Sequence, residues 1–304
     1  MINRVKVMFF VFTLCICASL CAGTEAQAKI KRGKWKDNVS WTYDTKTKEF
    51  VVTGKGEIAE LYETEYDICA PKWVWISSDI RSMKIEGRIT KISNFFSGIS
   101  GFSNMTSLEL GKNIREIGEG AFWGAPKLKS VKLNVGLRKI KKDAFQHSGL
   151  RKVVIPESVE KIGLHAFYNC EKLRKVTLRE GVKDTGVASF CYCPKLEKVK
   201  FPISLKRIGA RAFEASALKT VTIPENVVEI GNGAFDQKWA DKVTLKKVTI
   251  KSKKITKWGK DIFNGASRDL VIHVPASKKL QYELALRAKG LPSYVRVVGE
   301  ASLG

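Results

Sequence analysis

The stretch that decides the fold is Ile162–Leu178, which reads Ile-Gly-Leu-His-Ala-Phe-Tyr-Asn-Cys-Glu-Lys-Leu-Arg-Lys-Val-Thr-Leu. An Ile-Gly pair, an Ala-Phe pair, a small residue and a Val-x-Leu pair follow one another, and the same order returns before and after this stretch. Aligned on the aromatic position, the copies are spaced 23, 22, 23, 23, 22 and 28 residues apart, at Phe122, Phe145, Phe167, Phe190, Phe213, Phe235 and Phe263. Repetition at a period of this length is typical of proteins built from stacked units.

Each unit has a predicted strand followed by turns. The Val-x-Leu or Val-x-Ile pairs, such as Val153/Ile155 and Val221/Ile223, alternate with period two and predict one short strand per unit. The Ala-Phe pair, with a small residue beyond it, predicts a short helical or 3₁₀ turn. Since no single unit can bury its own apolar face, we expect the units to stack into a right-handed solenoid, with a parallel sheet along one side.

The order of these residues resembles a known family. The pattern Ile-Gly-x-x-Ala-Phe-x-x-Cys-x-x-Leu-x-x-Val-x-Leu-Pro is similar to the BspA-like leucine-rich repeat of bacterial and protozoan secreted and surface proteins, and the resemblance covers roughly Ile92 to Pro275. The segment Gly33–Glu57 also resembles the small β-unit that often precedes such repeats. The resemblance implies extracellular binding, often adhesion to host or microbial surfaces. It implies no enzymatic activity and transfers no catalytic residue.

The chain divides into four predicted regions. Residues 1–28 are a predicted cleavable signal peptide, because Arg4 and Lys6 precede the apolar run Val7–Cys21 and Ala26-Gln27-Ala28 is a small-x-small cleavage signal. Residues 29–91 are a predicted β-rich capping unit, residues 92–275 the solenoid, and residues 276–304 a C-terminal cap. We therefore expect a secreted protein, either released or held at the cell surface, with no transmembrane segment after cleavage.

The two ends of the stack need caps, since a terminal coil has no neighbour on one side. We expect Trp73 and Trp75 to cover the first coil. At the other end, Ser277–Lys289 is a predicted helix with Ser277 as its N-cap and with one apolar face formed by Leu280, Leu284 and Ala288. A final strand over Tyr294–Val298 would close the last coil.

One unit is longer than the others. The extra residues between Phe235 and Phe263 lie mainly in Asp236–Leu245, which includes Trp239. Insertions in solenoids form loops that often line a binding face, but a tolerated bulge explains this one equally well.

Four cysteines remain after cleavage, namely Cys69, Cys170, Cys191 and Cys193, which is too few for a disulfide scaffold. Cys170 and Cys193 occupy one column of successive units, at a spacing within disulfide range. However, side chains in such a column point the same way, which favours buried free thiols. Pairing of Cys191 with a neighbour stays open.

The charge of the chain gives its strongest functional signal. Lys and Arg number 54 against 30 Asp and Glu, for a net charge of +24, and such an excess attracts anionic partners. In stacked strands, basic residues form columns with charges about 4.8 Å apart, inside a Debye length of about 8 Å. The predicted ligand-binding residues are Lys129, Arg151, Lys152, Arg174, Lys175, Lys198, Lys219, Lys246 and Lys247. The position before Ile-Gly adds Lys139, Lys161, Arg207 and Lys257. Alternatively, the lysines only solvate the sheet and prevent its aggregation.

Little in the sequence points to catalysis. The three histidines, His147, His165 and His273, have no convergent partners that predict a metal site, and no nucleotide-binding, hydrolase or metalloprotease motif occurs. We therefore expect no cofactor and no metal. The favoured function is non-enzymatic binding or adhesion to an anionic ligand of a host or microbial surface. Its partner would be an extracellular protein, an anionic polysaccharide or a cell-wall polymer. Nucleic-acid binding through charge is the alternative, and an enzyme would need a convergent cleft in the N-terminal unit or the insertion.

Overall fold

The computed structural model describes residues 29–34, 38–58, 74–93 and 102–303. The predicted signal peptide, Cys69 and Trp73 lie outside these residues, as does the side chain of Trp75. The chain forms a solenoid in which each repeat unit is one coil, and two parallel sheets run along it. The predicted solenoid with parallel strands is therefore confirmed.

Both sheets begin on one long strand. An antiparallel meander of β1 (Ile30–Lys34), β2 (Val39–Asp44) and β3 (Glu49–Ile58) opens the described chain. The first half of β3 pairs in parallel with β4 (Ser82–Ile85), and its second half pairs in parallel with β5 (Arg88–Ile92). The meander thus covers the start of the stack and forms the first strand of each sheet.

The sheet that begins with β4 contains the predicted Val-x-Leu strands and is called the major sheet. Its further strands are β6 (Ser107–Leu110), β8 (Ser130–Lys132), β10 (Lys152–Ile155), β11 (Lys175–Leu178), β12 (Lys198–Lys200), β14 (Thr220–Ile223), β16 (Lys247–Ile250), β18 (Val271–Pro275) and β19 (Arg296–Glu300). Alternate residues of these strands are buried and exposed, as the period-two pattern predicts.

The sheet that begins with β5 is called the minor sheet, and the sequence pattern did not predict it. Its further strands are two-residue pairs at the position before each turn, namely β7 (Glu116–Ile117), β9 (Lys139–Ile140), β13 (Arg207–Ile208), β15 (Glu229–Ile230) and β17 (Lys257–Trp258). Single bridges continue the row between β9 and β13. A glycine follows every one of these pairs except β9, and it allows close approach of the coils: a Cβ on Gly209 would lie 2.0 Å from the Gly186 carbonyl oxygen.

The major sheet is interrupted twice. Ladders join β3, β4, β6 and β8, then β10, β11 and β12, and then β14, β16, β18 and β19. The strand after each interruption, β10 or β14, lies within a 22-residue step of the Phe column. In those units the turn is one residue shorter, since five residues separate Phe145 from Leu150 and Phe213 from Leu218, where six separate Phe167 from Leu173. The shorter turns thus coincide with the places where the next strand leaves the ladder.

The phenylalanines form the core of the solenoid. Successive rings from Phe122 to Phe263 are stacked with centroids 5.2–5.8 Å apart, and all are buried. The small residue three positions after each Phe lies beside the rings, and it is buried where it is Cys170 or Cys193. Cys170 and Cys193 are free, buried thiols, as the sequence favoured, and Cys191, for which pairing was open, is also free and buried. These three are called the buried thiols.

The predicted helical or 3₁₀ turn at Ala-Phe is wrong in form. Only alternate residues make bonds to the third residue before them, as the Tyr168 N–H does to the His165 carbonyl at 2.9 Å. The residues between them donate to the next coil instead, as the Phe167 N–H does to the Ser189 carbonyl at 2.8 Å. His165 and Asn169 accordingly have positive φ angles of 54° and 51°. The turns therefore form a third row of hydrogen bonds between coils.

The C-terminal cap differs in detail from its prediction. A 3₁₀ turn precedes helix α1 (Lys279–Ala288), whose N-cap is Lys278 without a side-chain bond, so the Ser277 cap is wrong. The final strand, β19, begins two residues later than predicted and pairs in parallel with β18.

The apolar face predicted for α1 points outward. Leu280 and Leu284 are 72% and 61% exposed, whereas Tyr282 and Leu286 are buried. Tyr282 decides this orientation, because its hydroxyl donates to the Ser252 carbonyl and accepts from the Ile255 N–H, and its ring packs edge-on against Trp258 at 5.0 Å.

Candidate ligand-binding surface

The outward positions of the major sheet place lysines in register. β10, β11 and β12 pair so that Lys152, Lys175 and Lys198 lie side by side in consecutive coils, and all three are exposed. Neighbouring strands lie about 4.8 Å apart. These three residues, called the lysine column, therefore carry like charges well within a Debye length of one another.

A second basic column lies just before these strands. The Arg151 N–H donates to the Lys129 carbonyl at 3.2 Å and the Arg174 N–H donates to the Arg151 carbonyl at 2.8 Å, which aligns the three residues. In the next coil, Glu197 follows Arg174 in this column. Six of the nine predicted residues thus lie together over four coils, from Lys129 to Lys198.

The other three predicted residues are separate from these six. Lys219 and Lys246 are aligned by a 2.9 Å backbone bond, but they lie beyond Glu197 and beyond the interruption between β12 and β14. Lys247 is exposed and lies in register with Thr220 and Val271, not with another lysine. The structure therefore divides the predicted surface into a dense patch and a sparse one.

The cations of the major sheet have few anionic neighbours. Among the nine residues, only Arg174 (to Glu197, 3.7 Å) and Lys246 (to Asp269, 3.8 Å) have a described carboxylate within 4.0 Å. Lys132 and Lys200, which the sequence reasoning missed, add two more exposed cations to the same face. Each directly follows the inward valine of its strand, at Val131 and Val199, and the period-two pattern itself indicates an outward position there.

The basic residues of the minor sheet are paired. The column there contains both signs, so that Lys139 meets Glu116 at 3.4 Å and Lys161 meets Asp184 at 3.6 Å. Arg207 also binds Asp184, and Lys257 meets Glu229 at 3.8 Å. The hydrogen bond to Asp184 raises the pKa of Arg207 above its ordinary value. The prediction that these residues extend the basic stripes therefore fails, because carboxylates of adjacent coils neutralise them.

The insertion contributes a single exposed aromatic side chain. Trp239 is 60% exposed, and the Lys238 ammonium lies 5.1 Å from the centroid of its ring. The Gln237 side chain holds the base of the loop, because its carbonyl oxygen accepts from the Thr244 and Leu245 N–H groups at 3.1 Å. The loop stands apart from the dense basic patch.

The histidines lie in separate environments. His147 hydrogen-bonds Asn169 at 2.9 Å, His165 lies 3.5 Å from Asp143, and His273 contacts Glu300. Within the described ranges, no group of three or more His, Cys, Asp or Glu side chains is arranged to hold a metal ion. In the same part of the chain, no helix has the length and apolar character needed to cross a bilayer.

Comparison with known proteins places these features in a family. The model described as "BspA type Leucine rich repeat region" matches in six copies, over residues 76–172 and 138–271. Among proteins of curated function, none matches this sequence.

Several solved structures are similar to this chain in fold alone. A leucine-rich repeat protein from Bacteroides ovatus has 21% identity and a TM-score of 0.49, covering 78% of this chain and 70% of its own. The leucine-rich repeat protein of T. pallidum has 23% identity and a TM-score of 0.39, with coverage of 90% and 100%. A leucine-rich cell surface protein from Faecalibacterium prausnitzii has 14% identity and a TM-score of 0.27, with coverage of 93% and 97%.

Proposed function

Because the chain belongs to the BspA-type leucine-rich repeat family, we propose that it is a non-enzymatic binding protein of the cell exterior that recognises an anionic ligand of a host or microbial surface. The predicted signal peptide supports export. The ligand would bind the dense basic patch of the major sheet, which comprises Lys129, Arg151, Lys152, Arg174, Lys175 and Lys198.

The observation that carries this proposal is the contrast between the two sheets. Both stack charged residues at the same spacing, but on the minor sheet each cation of the column has a carboxylate in a neighbouring coil, whereas the lysine column of the dense patch has none in the described chain. Like charges side by side on a sheet destabilise it, whereas opposite charges stabilise it. An anionic ligand would remove the repulsion of the dense patch, as carboxylates of the chain itself do on the minor sheet.

The simpler explanation, in which lysines only keep the sheet soluble, predicts a different distribution. Solubility depends on net charge and on the absence of apolar patches, so the cations could lie on either sheet and pair with carboxylates without loss. Concentration of unpaired cations in register over adjacent coils instead favours a ligand with repeated negative charges.

The test compares two variants of equal net charge. One replaces the lysine column by Gln, and the other replaces Lys139, Lys161 and Lys257 of the minor sheet by Gln. Heparin serves as the polyanion probe, and retention on a heparin column is measured over a NaCl series, with circular dichroism as the control for folding.

We expect the lysine-column variant to elute at lower NaCl than both the wild type and the minor-sheet variant. For this variant, the slope of log affinity against log salt concentration should become shallower by up to about three, roughly one for each lost contact. Equal loss of retention in the two variants would mean that heparin responds to net charge alone, and the proposal would be wrong.

A further inference from the structure

A cleft lies at the first interruption of the major sheet, between β8 and β10. Its volume is about 760 Å³, and its lining includes Lys132, Val135, Lys152, Val154, Pro156 and Arg179. Ligand pockets commonly measure about 300–1,000 Å³. The cleft opens within the dense basic patch, since Lys152 belongs both to its lining and to the lysine column.

Aliphatic side chains are exposed in this cleft. Val135 is 78% exposed and Val154 is 41% exposed. Val154 lies in register with Thr177, and Val135 occupies the position that Glu157 and Glu180 occupy in the next two coils. Two valines thus replace polar residues where the strands leave the ladder, and they give the cleft an apolar floor.

The sides of the cleft are basic. The charged residues of its lining are three cations, Lys132, Lys152 and Arg179, and one carboxylate, Glu157. In the described part of the chain, none of these four groups has an oppositely charged partner within 4.0 Å. Three cations and one anion give the lining a local charge of +2.

We propose that this cleft binds an acidic peptide segment that carries an aliphatic side chain. The aliphatic side chain would pack on Val135 and Val154, while neighbouring carboxylates would bind Lys132, Lys152 and Arg179. The inference rests on the proposed function, because it assigns the specific contact of the anionic ligand to one place in the dense patch.

The chemistry of the lining selects a peptide over a polysaccharide. An anionic polysaccharide presents mainly hydroxyl, sulfate or carboxylate groups, and its small C–H and acetyl surfaces match two exposed valines less well than a branched aliphatic side chain does. A peptide can present a branched aliphatic side chain between carboxylates, and burial of that side chain is favourable by the area that it removes from water.

The test uses two fluorescein-labelled peptides of equal charge. Both alternate Asp and Glu with a neutral residue, which is Leu in one peptide and Ser in the other, and binding is measured by fluorescence anisotropy. We expect the Leu peptide to bind the wild-type chain about tenfold more tightly than the Ser peptide, a difference of about 1.4 kcal/mol.

The variant Val135→Thr/Val154→Thr keeps the charge and the β-branched shape, and it should abolish the difference between the two peptides. The matched control is Ile203→Thr, which removes an exposed aliphatic side chain (56% exposed) at the second interruption and should preserve the difference. Retention on heparin should be unchanged in both variants.

The outcomes separate the inference from the proposed function. Equal binding of the Leu and Ser peptides to the wild type would overturn the cleft assignment, whatever the variants do. Loss of the difference in the Ile203→Thr control as well would also overturn it, since the effect would not be local. Neither result depends on the heparin comparison, which tests the basic patch alone.

Discussion

The Phe column permits a quantitative test of the stacking that holds the coils together. Phe167 is fully buried and is stacked on both sides, at 5.3 Å from Phe145 and at 5.2 Å from Phe190, with planes 6° and 5° apart. Replacement by Leu keeps an apolar side chain in place but removes both ring pairs. An aromatic pair contributes about 0.5–1.5 kcal/mol beyond its buried area, so Phe167→Leu should cost about 1–3 kcal/mol.

Two further variants calibrate this value. Phe263 stacks on Phe235 at 5.8 Å, and the described chain offers it no second stacked ring. Phe263→Leu should therefore cost about 0.5–1.5 kcal/mol. Phe167→Ala also leaves a cavity, and such truncations cost about 3–5 kcal/mol. We expect the order Phe167→Ala, Phe167→Leu, Phe263→Leu from most to least destabilised.

The assay is equilibrium unfolding in urea, followed by far-ultraviolet circular dichroism and by tryptophan fluorescence. Coincidence of the two transitions is required, because long repeat arrays can unfold without two-state behaviour. The free energy of unfolding follows by linear extrapolation. If Phe167→Leu and Phe263→Leu differ by less than about 0.5 kcal/mol, the number of ring pairs does not determine stability and the stacking argument fails.

Three further predictions concern titration, thiols and salt. The Glu180 carboxylate accepts hydrogen bonds from the Ile203 and Ser204 N–H groups, which lower its pKa. Its contribution is therefore present above its unfolded pKa and is lost as pH falls through the folded value. Glu180→Gln should thus be destabilised at neutral pH, and thermal melts should show this difference shrink below the ordinary pKa of 4.5 and vanish below the lowered pKa of the folded state. Burial and the charge of Glu214 raise the pKa of Cys191 to about 12. The buried thiols should resist alkylation in the native protein and all react in urea without reductant; a cross-linked peptide in the mass spectrum would contradict this. Finally, added NaCl should stabilise the wild type more than the lysine-column variant, because salt screens the repulsion within the column. Equal responses of the two urea midpoints would refute that reasoning.

Much of the fold could be predicted from the sequence because the largest side chains repeat. The Phe column fixes the period, and the Val-x-Leu pairs carry a clear period-two signal, so the solenoid and the major sheet follow from packing alone. The two-residue strands of the minor sheet are too short to show any period. The turns escaped prediction for another reason: a single residue at positive φ, such as His165, redirects the backbone N–H groups to the next coil.

The C-terminal helix shows where a periodic pattern misleads. Leu280, Leu284 and Ala288 share a helix face, and their spacing predicts burial as well as that of Tyr282 and Leu286. The hydroxyl of Tyr282 settles the choice by bonding the backbone at Ser252 and Ile255. Such a contact spans about thirty residues of sequence and depends on where the last coil places its carbonyl groups, which no local pattern records.

The candidate site was predictable in part, and the part that was missed is the set of carboxylates that pair with the basic residues of the minor sheet. Selecting only the basic residues of the minor-sheet column conceals Glu116, Asp184 and Glu229, although the same alignment contains them. When every residue of a column is read in order, the minor sheet contains both signs and the lysine column contains only positive charge. The cleft could not be found this way, because it depends on the interruption between β8 and β10 and not on any one column.

The distribution of charge also explains how one architecture can separate stability from binding. On the minor sheet, carboxylates of one coil pair with cations of an adjacent coil, so the ion pairs hold neighbouring coils together. On the major sheet, the lysine column offers its neighbours only repulsion, and the Phe column beneath it must offset that cost. Salt therefore acts on the two properties in opposite directions, because it relieves the repulsion that weakens the solenoid and screens the attraction that holds an anionic ligand. A basic face that served only the fold would show the gain in stability with salt but no loss of binding, since it would have no ligand to release when its charges were screened.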